Sequence, residues 1–551
     1  MRNPVVAAPA VAARAARAVD RRAISALAGA VLAAAAPAQA IAGYRAFENK
    51  AAPVAFQYPT IYEELPLPPT EQTLVARYVL RDAPAELAHL DEQQFTLGRP
   101  RLFVFHFVPS SASAGGAPAT LREELERQNR ATSWADFVRR LPGIDVVEDP
   151  RRPGFYTLRQ EGPDGGRLGF LIRRQQGGAE FGVYGFAPAD YHRVLQTQLQ
   201  RVGQSLALTS AVVLDRAVDS IDRVYEHSDL KFIAARKRAR ADLPRGWQAV
   251  DTANYLIVHH GAAAPLLRRL ARDIEAMRAV YEARFPTAQP IASLAIVRVC
   301  RDKDEYHLYG GPKSSGGFWH PANEELVLFD YSSLAPPADG DAGQRTSPSG
   351  QAPGDGDSLL VLYHEAFHQY IHYAVGEFAP HDWFNEGFGD HFSGARVSEA
   401  TGQVQRIEPS PWRWRTAKDM CATGKDWVPL ALLVTAERAQ FYNPARARFF
   451  YAAAWSFVHF LETSSEARAH RLWSRILPTY FESMKTQYAV VLRRSGARPS
   501  LEQRAVAAFE ARKLALDAAF VGVDLAELEA AWRRWGATLK EPASVRRARE
   551  R

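Results

Sequence analysis

His364 and His368 stand four residues apart in His364-Glu365-Ala366-Phe367-His368, and on a helix that spacing puts two imidazoles on one face. Two neutral imidazoles aimed at one point begin a zinc site, which in a hydrolase takes three protein ligands and leaves a position to water. Glu386, within Trp383-Phe384-Asn385-Glu386-Gly387-Phe388-Gly389-Asp390, is the candidate third ligand. The stretch between them suffices for the end of one helix, a loop through Gly376, Pro380 and His381, and the start of a second helix that returns to the metal. Asp390 falls one turn beyond Glu386, placed to accept the free ring N–H of a zinc histidine and so fix its tautomer. Glu365 projects along a different radial line, and its expected work is to take a proton from the attacking water and pass it to the leaving group. One Zn2+ per chain is the expected cofactor.

These groups need rigid carriers. The apolar run Leu359, Leu360, Leu362, Phe367 and Ile371 predicts a buried helix over 361–375. Ahead of it the pattern predicts a strand over 254–260, a helix over 264–285, a strand over 292–299, the pair Gly316-Gly317 and a strand over 325–330. An aromatic, apolar helix over 445–461 follows.

HEAFH followed by WFNEGFGD resembles the gluzincin metallopeptidases, closest to the peptidase-MA-like families, over about 247–477, and 519–532 is similar to their closing helices. The loop from His368 to Glu386 is slightly shorter than in the better-known branches. The resemblance implies an α+β chain whose zincin-like catalytic domain carries a mixed sheet and the HExxH helix, with helices after it, and implies hydrolysis of peptide bonds in a peptide or protein substrate. It also implies that the strand just before the zinc helix, here 325–330, borders the cleft and pairs with an extended peptide. Gly316 and Gly317 would permit close backbone approach there, or form a plain hairpin turn. Tyr451 is similar in place to the tyrosine that steadies the oxyanion, with core packing the open alternative. His459 is a weaker candidate, and His372 reads as flanking because three ligands already fill the site. Glu324 and Glu325 are amine-binding candidates by position alone.

The chain has 551 residues, 47% hydrophobic and 11% aromatic, enough for two or three globular domains. Five arginines and one acid lie in the first 22 residues, followed by a small apolar run over 23–36 and Pro37-Ala38-Gln39-Ala40. Basic, apolar, then A-x-A predicts a cleaved signal peptide over 1–40 and an exported protein (periplasmic, envelope or extracellular) without a stable membrane span. Removing it takes away much of the +7 net charge. The cluster Arg236-Lys237-Arg238 with Arg240 lacks interleaved aromatics and reads as a solvated face, so nucleic acid is not expected as a partner. Cys300 and Cys421 allow one disulfide at most.

The expected organisation is an α+β accessory domain over 42–218, a helical linker over 219–246, the metallopeptidase-like domain over 247–480 with a disordered insertion at 335–357, and a helical region over 481–551. In the accessory domain the pattern predicts strands over 74–80, 102–108, 154–159, 166–173 and 179–186 and helices over 121–129 and 191–205. Two other function classes fit the same residues: a zincin-fold scaffold that cleaves nothing, against which the intact Glu365 argues, and a zinc hydrolase of a non-peptide substrate.

Overall fold

A computed structural model describes residues 43–47, 52–82, 99–110, 121–141, 143–160, 167–188, 191–209, 221–287, 289–313, 315–334, 355–496 and 499–549. The signal peptide expected over 1–40 and most of the insertion expected at 335–357 lie outside the described residues. The chain is mixed α+β.

The first half builds a seven-stranded antiparallel sheet. Its strands are β1 (Tyr62–Leu65), β2 (Leu74–Leu80), β3 (Arg101–Phe107), β4 (Asp145–Glu148), β5 (Phe155–Gln160), β6 (Arg167–Gln176) and β7 (Ala179–Pro188), ordered β1-β2-β3-β7-β6-β5-β4. Side chains alternate across the sheet. Leu102 and Val104 of β3 and Phe181 and Val183 of β7 point to one face, where α3 (His192–Ser205) buries Leu195, Leu199 and Val202. Phe105, Phe107, Tyr184 and Phe186 point to the other, where α2 (Trp134–Arg139), which follows α1 (Leu121–Asn129), lies and Phe137 stacks on Phe105 with centroids 4.4 Å apart.

Beyond residue 221 comes α4 (Ile233–Ala241), then a five-stranded sheet. Its strands are β8 (Trp247–Asp251), β9 (Tyr255–His260), β10 (Ala295–Cys300), β11 (Gly317–His320) and β12 (Glu325–Phe329), ordered β8-β9-β10-β12-β11. β9, β10 and β12 run parallel, while β8 and β11 are antiparallel edges. The three central strands are apolar along almost their whole length, as strands covered on both faces must be. β12 is interior, so the strand expected to border the cleft at 325–330 does not offer a free edge; β11 does. The basic cluster is a solvated face only in part: Arg238 is exposed, and Lys237 and Arg240 are half-buried. Arg236 of α4 is fully buried, its guanidinium holding Asp251 Oδ1 at 2.7 Å and the Tyr255 carbonyl at 2.9 Å.

One face of this sheet carries α5 (Ala264–Arg284) and α7 (Asp355–Val375); α6 (Lys303–Tyr309) links β10 to the β11–β12 hairpin. Three tyrosine hydroxyls clamp α7 to its neighbours: Tyr281 donates to the Tyr363 carbonyl at 2.7 Å, Tyr363 to Asp273 at 2.6 Å and Tyr370 to the Phe285 carbonyl at 2.6 Å. After α8 (Asp382–Phe392) the chain is largely helical: α9 (Trp414–Thr423), α10 (Leu430–Thr435), α11 (Arg438–Phe441), α12 (Ala447–Thr463), then further helices to Arg549. One continuous core runs from Trp247 to Leu539, and a single helix, Ile476–Arg494, crosses residue 480.

The two sheets meet through a polar seam. Arg99 grips Asp304 with two bonds of 2.8 and 3.0 Å, Arg301 reaches Glu63 at 2.9 Å, Arg81 pairs with Asp302, and Leu65, Val79 and Leu308 close a small apolar patch. Cys300 and Cys421 are free and buried. No helix among the described residues is long and apolar enough to cross a membrane.

Candidate metal centre

α7 and α8 meet through a tight turn. Gly376, at φ +116, lets the Glu377 N–H return to the His372 carbonyl at 2.7 Å and close the end of α7. Every residue of α8 is buried. Phe384, Phe388 and Phe392, four apart, pack toward Phe285 and Phe367, leaving Asn385, Glu386 and Asp390 on the side that faces the α7 histidines. Gly387 is required because a Cβ there would lie 2.7 Å from the Ala454 carbonyl oxygen of α12, and one at Gly389 would lie 2.8 Å from the His364 ring.

The structure brings all four ligand-side expectations together. His364 Nε2 lies 3.0 Å from His368 Nε2 and 3.1 Å from Glu386 Oε2, and His368 Nε2 lies 3.5 Å from that same oxygen. Two ring nitrogens and one carboxylate oxygen thus face a single point, and all three residues are buried. Asp390 Oδ1 lies 3.3 Å from His364 Nδ1, and its other oxygen accepts from Arg413 Nε at 2.6 Å. The second histidine is held by a residue not singled out from sequence: Asn385 Oδ1 lies 3.0 Å from His368 Nδ1, which fixes that nitrogen as the N–H.

Glu365 points elsewhere, under β11. Its Oε2 accepts the Trp319 backbone N–H at 3.0 Å. Burial raises its pKa, the two imidazoles oppose that rise, and the Glu386 charge adds to it. For Glu386 burial is outweighed by His368 and His364, and its carboxyl is held well below the usual range. His364 is the counterpart: burial disfavours its charge, yet Asp390 and Glu386 raise it to about 10. A buried carboxylate bonded, among the described residues, to no arginine or lysine and facing two imidazoles is a site that keeps a cation, proton or metal.

Tyr442 was also missed. Its hydroxyl donates to Glu386 Oε1 at 2.5 Å and sits 3.2 Å from Asp382. Burial and then the Glu386 charge push its pKa far up, so it remains a donor. Only the folding of the short helix α11 brings it there, and no spacing in the sequence announces it. Tyr451 is partly buried on α12, its ring under the Arg413 guanidinium at 4.5 Å. Burial and the Glu386 charge raise its pKa too, and its hydroxyl has no hydrogen-bond partner among the described residues.

Other candidates fall away from this centre. Glu325 is fully buried beside Arg298, 2.7 Å from its Nε, and Tyr309. Glu324 pairs with Arg122 at 3.2 Å. His372 lies against Trp319, and burial lowers it to about 4. His459 meets His391 Nδ1 to Nδ1 at 3.0 Å in the core. Gly316 precedes the hairpin and Gly317 opens its first strand, and their close approach is to the protein itself: a Cβ on Gly317 would lie 2.4 Å from Val361 Cγ1 and 3.2 Å from Glu365 Cγ.

A second histidine–carboxylate group, Glu63, His260 and Glu305, sits in the seam. His260 Nδ1 lies 2.6 Å from Glu305, while Arg81 and Arg301 already occupy Glu63. Compared with protein-family models and with curated proteins, the chain finds no match.

Proposed function

We propose that the chain is an exported zinc-dependent hydrolase of peptide bonds, with a zincin-like domain over 247–480. The observation that carries this reading is the meeting of His364 Nε2, His368 Nε2 and Glu386 Oε2 at one buried point, with Glu365 alongside. The donor set fits zinc: two nitrogens and one oxygen, each histidine oriented through its other ring nitrogen. His364, His368 and Glu386 would hold the ion, which when bound acts as a Lewis acid and lowers the pKa of water.

The chain's own residues do the rest. Glu365, its basicity raised by burial, takes the proton of the attacking water and returns it to the leaving amine. Tyr451, with a free hydroxyl beside the carboxylates, donates to the oxygen that gains charge. Asp390 and Asn385 hold the two imidazoles, and Tyr442 keeps Glu386 from turning. The outer edge of β11 supports a peptide as substrate. Gly317 and Trp319 face away from β12, and because the Trp319 N–H is taken by Glu365 Oε2, it is their carbonyls that are turned toward an extended chain.

The test is Glu365→Gln against a peptide library read by mass spectrometry. The wild type should cleave, and the variant should hold zinc without turnover; equal cleavage by both would remove Glu365 from the mechanism. Export carries its own test: the secreted protein should begin near Ile41, and an intact Met1 would reject the leader.

A further inference from the structure

We propose that the accessory domain is a positioning element of the centre: through Arg122 and Thr70 it holds the β11–β12 hairpin, and through that hairpin it fixes Glu365. The catalytic role of Glu365 rests on the reading above, whereas the clamp itself does not.

The hairpin tip is Pro321–Glu324, and two of its side chains are held by the other domain. Glu324 Oε2 takes Arg122 Nη1 of α1 at 3.2 Å, and Asn323 Oδ1 takes the Thr70 hydroxyl at 2.8 Å. Both grips are braced in turn. Arg122 Nε is fixed by Glu126 at 3.0 Å, and Asn129 Nδ2 donates to the Thr70 carbonyl at 3.1 Å. Glu324 is a non-glycine residue at φ +52, a strained conformation that persists only where surroundings impose it. Its side chain is nonetheless buried, so the tip is a fixed point.

From that point β11 runs back over α7. The Trp319 ring lies 5.7 Å from His372 and 6.1 Å from Tyr373, and Gly317 rests on Val361. Between them the Trp319 N–H holds Glu365 Oε2. β11 is an edge strand with sheet bonds on one side only, so a loosened tip would let this amide swing off the carboxylate. Two other seam contacts, Arg99 with Asp304 and Arg301 with Glu63, join the domains around the start of α6 and involve neither hairpin nor α7. They provide an internal control.

The experiment is amide hydrogen exchange of the full mature chain, metal-free and zinc-loaded, in wild type, Arg122→Ala, Arg122→Lys, Thr70→Ala and Arg99→Ala. Arg122→Ala and Thr70→Ala should each speed exchange across 316–329 about tenfold at unchanged zinc content. Arg122→Lys, which keeps a cation opposite Glu324, should restore most of the protection, and Arg99→Ala should leave the hairpin near wild type. With a cleavable peptide in hand, Arg122→Ala should lower kcat with little change in KM. Unchanged exchange in Arg122→Ala, or an equal rise in Arg99→Ala, overturns the clamp. A wild type that cleaves nothing overturns the peptidase reading and leaves the exchange result to judge the clamp alone.

Discussion

His364, His368 and Glu386 converge on α7 and α8, and Glu63, His260 and Glu305 converge in the seam; in both groups the donor atoms lie within 4.8 Å of one another. The residue types are nearly the same, yet their surroundings differ in one respect. In the seam, Arg81 and Arg301 neutralise Glu63, and Glu305 takes both His260 Nδ1 and the Arg301 backbone N–H at 2.6 Å. At the centre, Glu386 receives only imidazoles and the neutral Tyr442 hydroxyl, with no arginine or lysine bonded to it among the described residues. The arginines close by are bonded elsewhere, Arg413 to Asp390 and Arg438 to Asp382. A histidine–carboxylate group whose charge is already balanced is adhesive; one left short of a cation is a site.

The largest expected effect on this contrast is loss of metal. His364→Ala or His368→Ala should remove stoichiometric zinc, while His260→Ala should leave it in place, as read by equilibrium dialysis. Next comes Glu365→Gln, which should retain zinc and lower turnover by about 10²–10⁴-fold. Tyr442→Phe and Asp390→Asn act one bond further out, and each should weaken zinc binding by roughly 10–100-fold in a competition titration.

A smaller effect comes from the buried neutral histidines behind the centre. Burial lowers His391 to about 3 and His372 and His381 to about 4, all below an unfolded value near 6.5. The unfolded chain therefore binds more protons between those limits, and the stability these groups contribute is present above pH ~6.5 and lost as pH falls toward 3–4. Denaturant midpoints of metal-free protein should fall steadily from pH 7 to pH 4; a flat profile would contradict neutral burial. The smallest effect belongs to the seam. Arg301→Ala should cost about 1 kcal/mol of stability by the same assay without altering zinc content.

Much of this centre was legible because it is local. HExxH needs only the helical repeat, and Glu386 and Asp390 need only a second helix, which the buried aromatics of α8 supply. The strands at 74–80 and 325–329 and the helix at 121–129 declared themselves through alternation and periodicity. What stayed hidden depends on long-range pairing. Register alone makes β11 the edge in place of 325–330, and Tyr442, 56 residues from Glu386, arrives by tertiary folding. Arg236 looked like surface because charge in sequence says nothing of a waiting Asp251. Asn385 was nearer to hand: beside Glu386 in the same motif, it could have been weighed with Asp390.

The most direct test is zinc content by elemental mass spectrometry on purified mature protein, with Glu386→Ala and His260→Ala prepared alongside. About one zinc per chain in wild type and His260→Ala, and none in Glu386→Ala, is the expected result. A folded wild type without zinc after it is supplied, or full occupancy in Glu386→Ala, would contradict the centre.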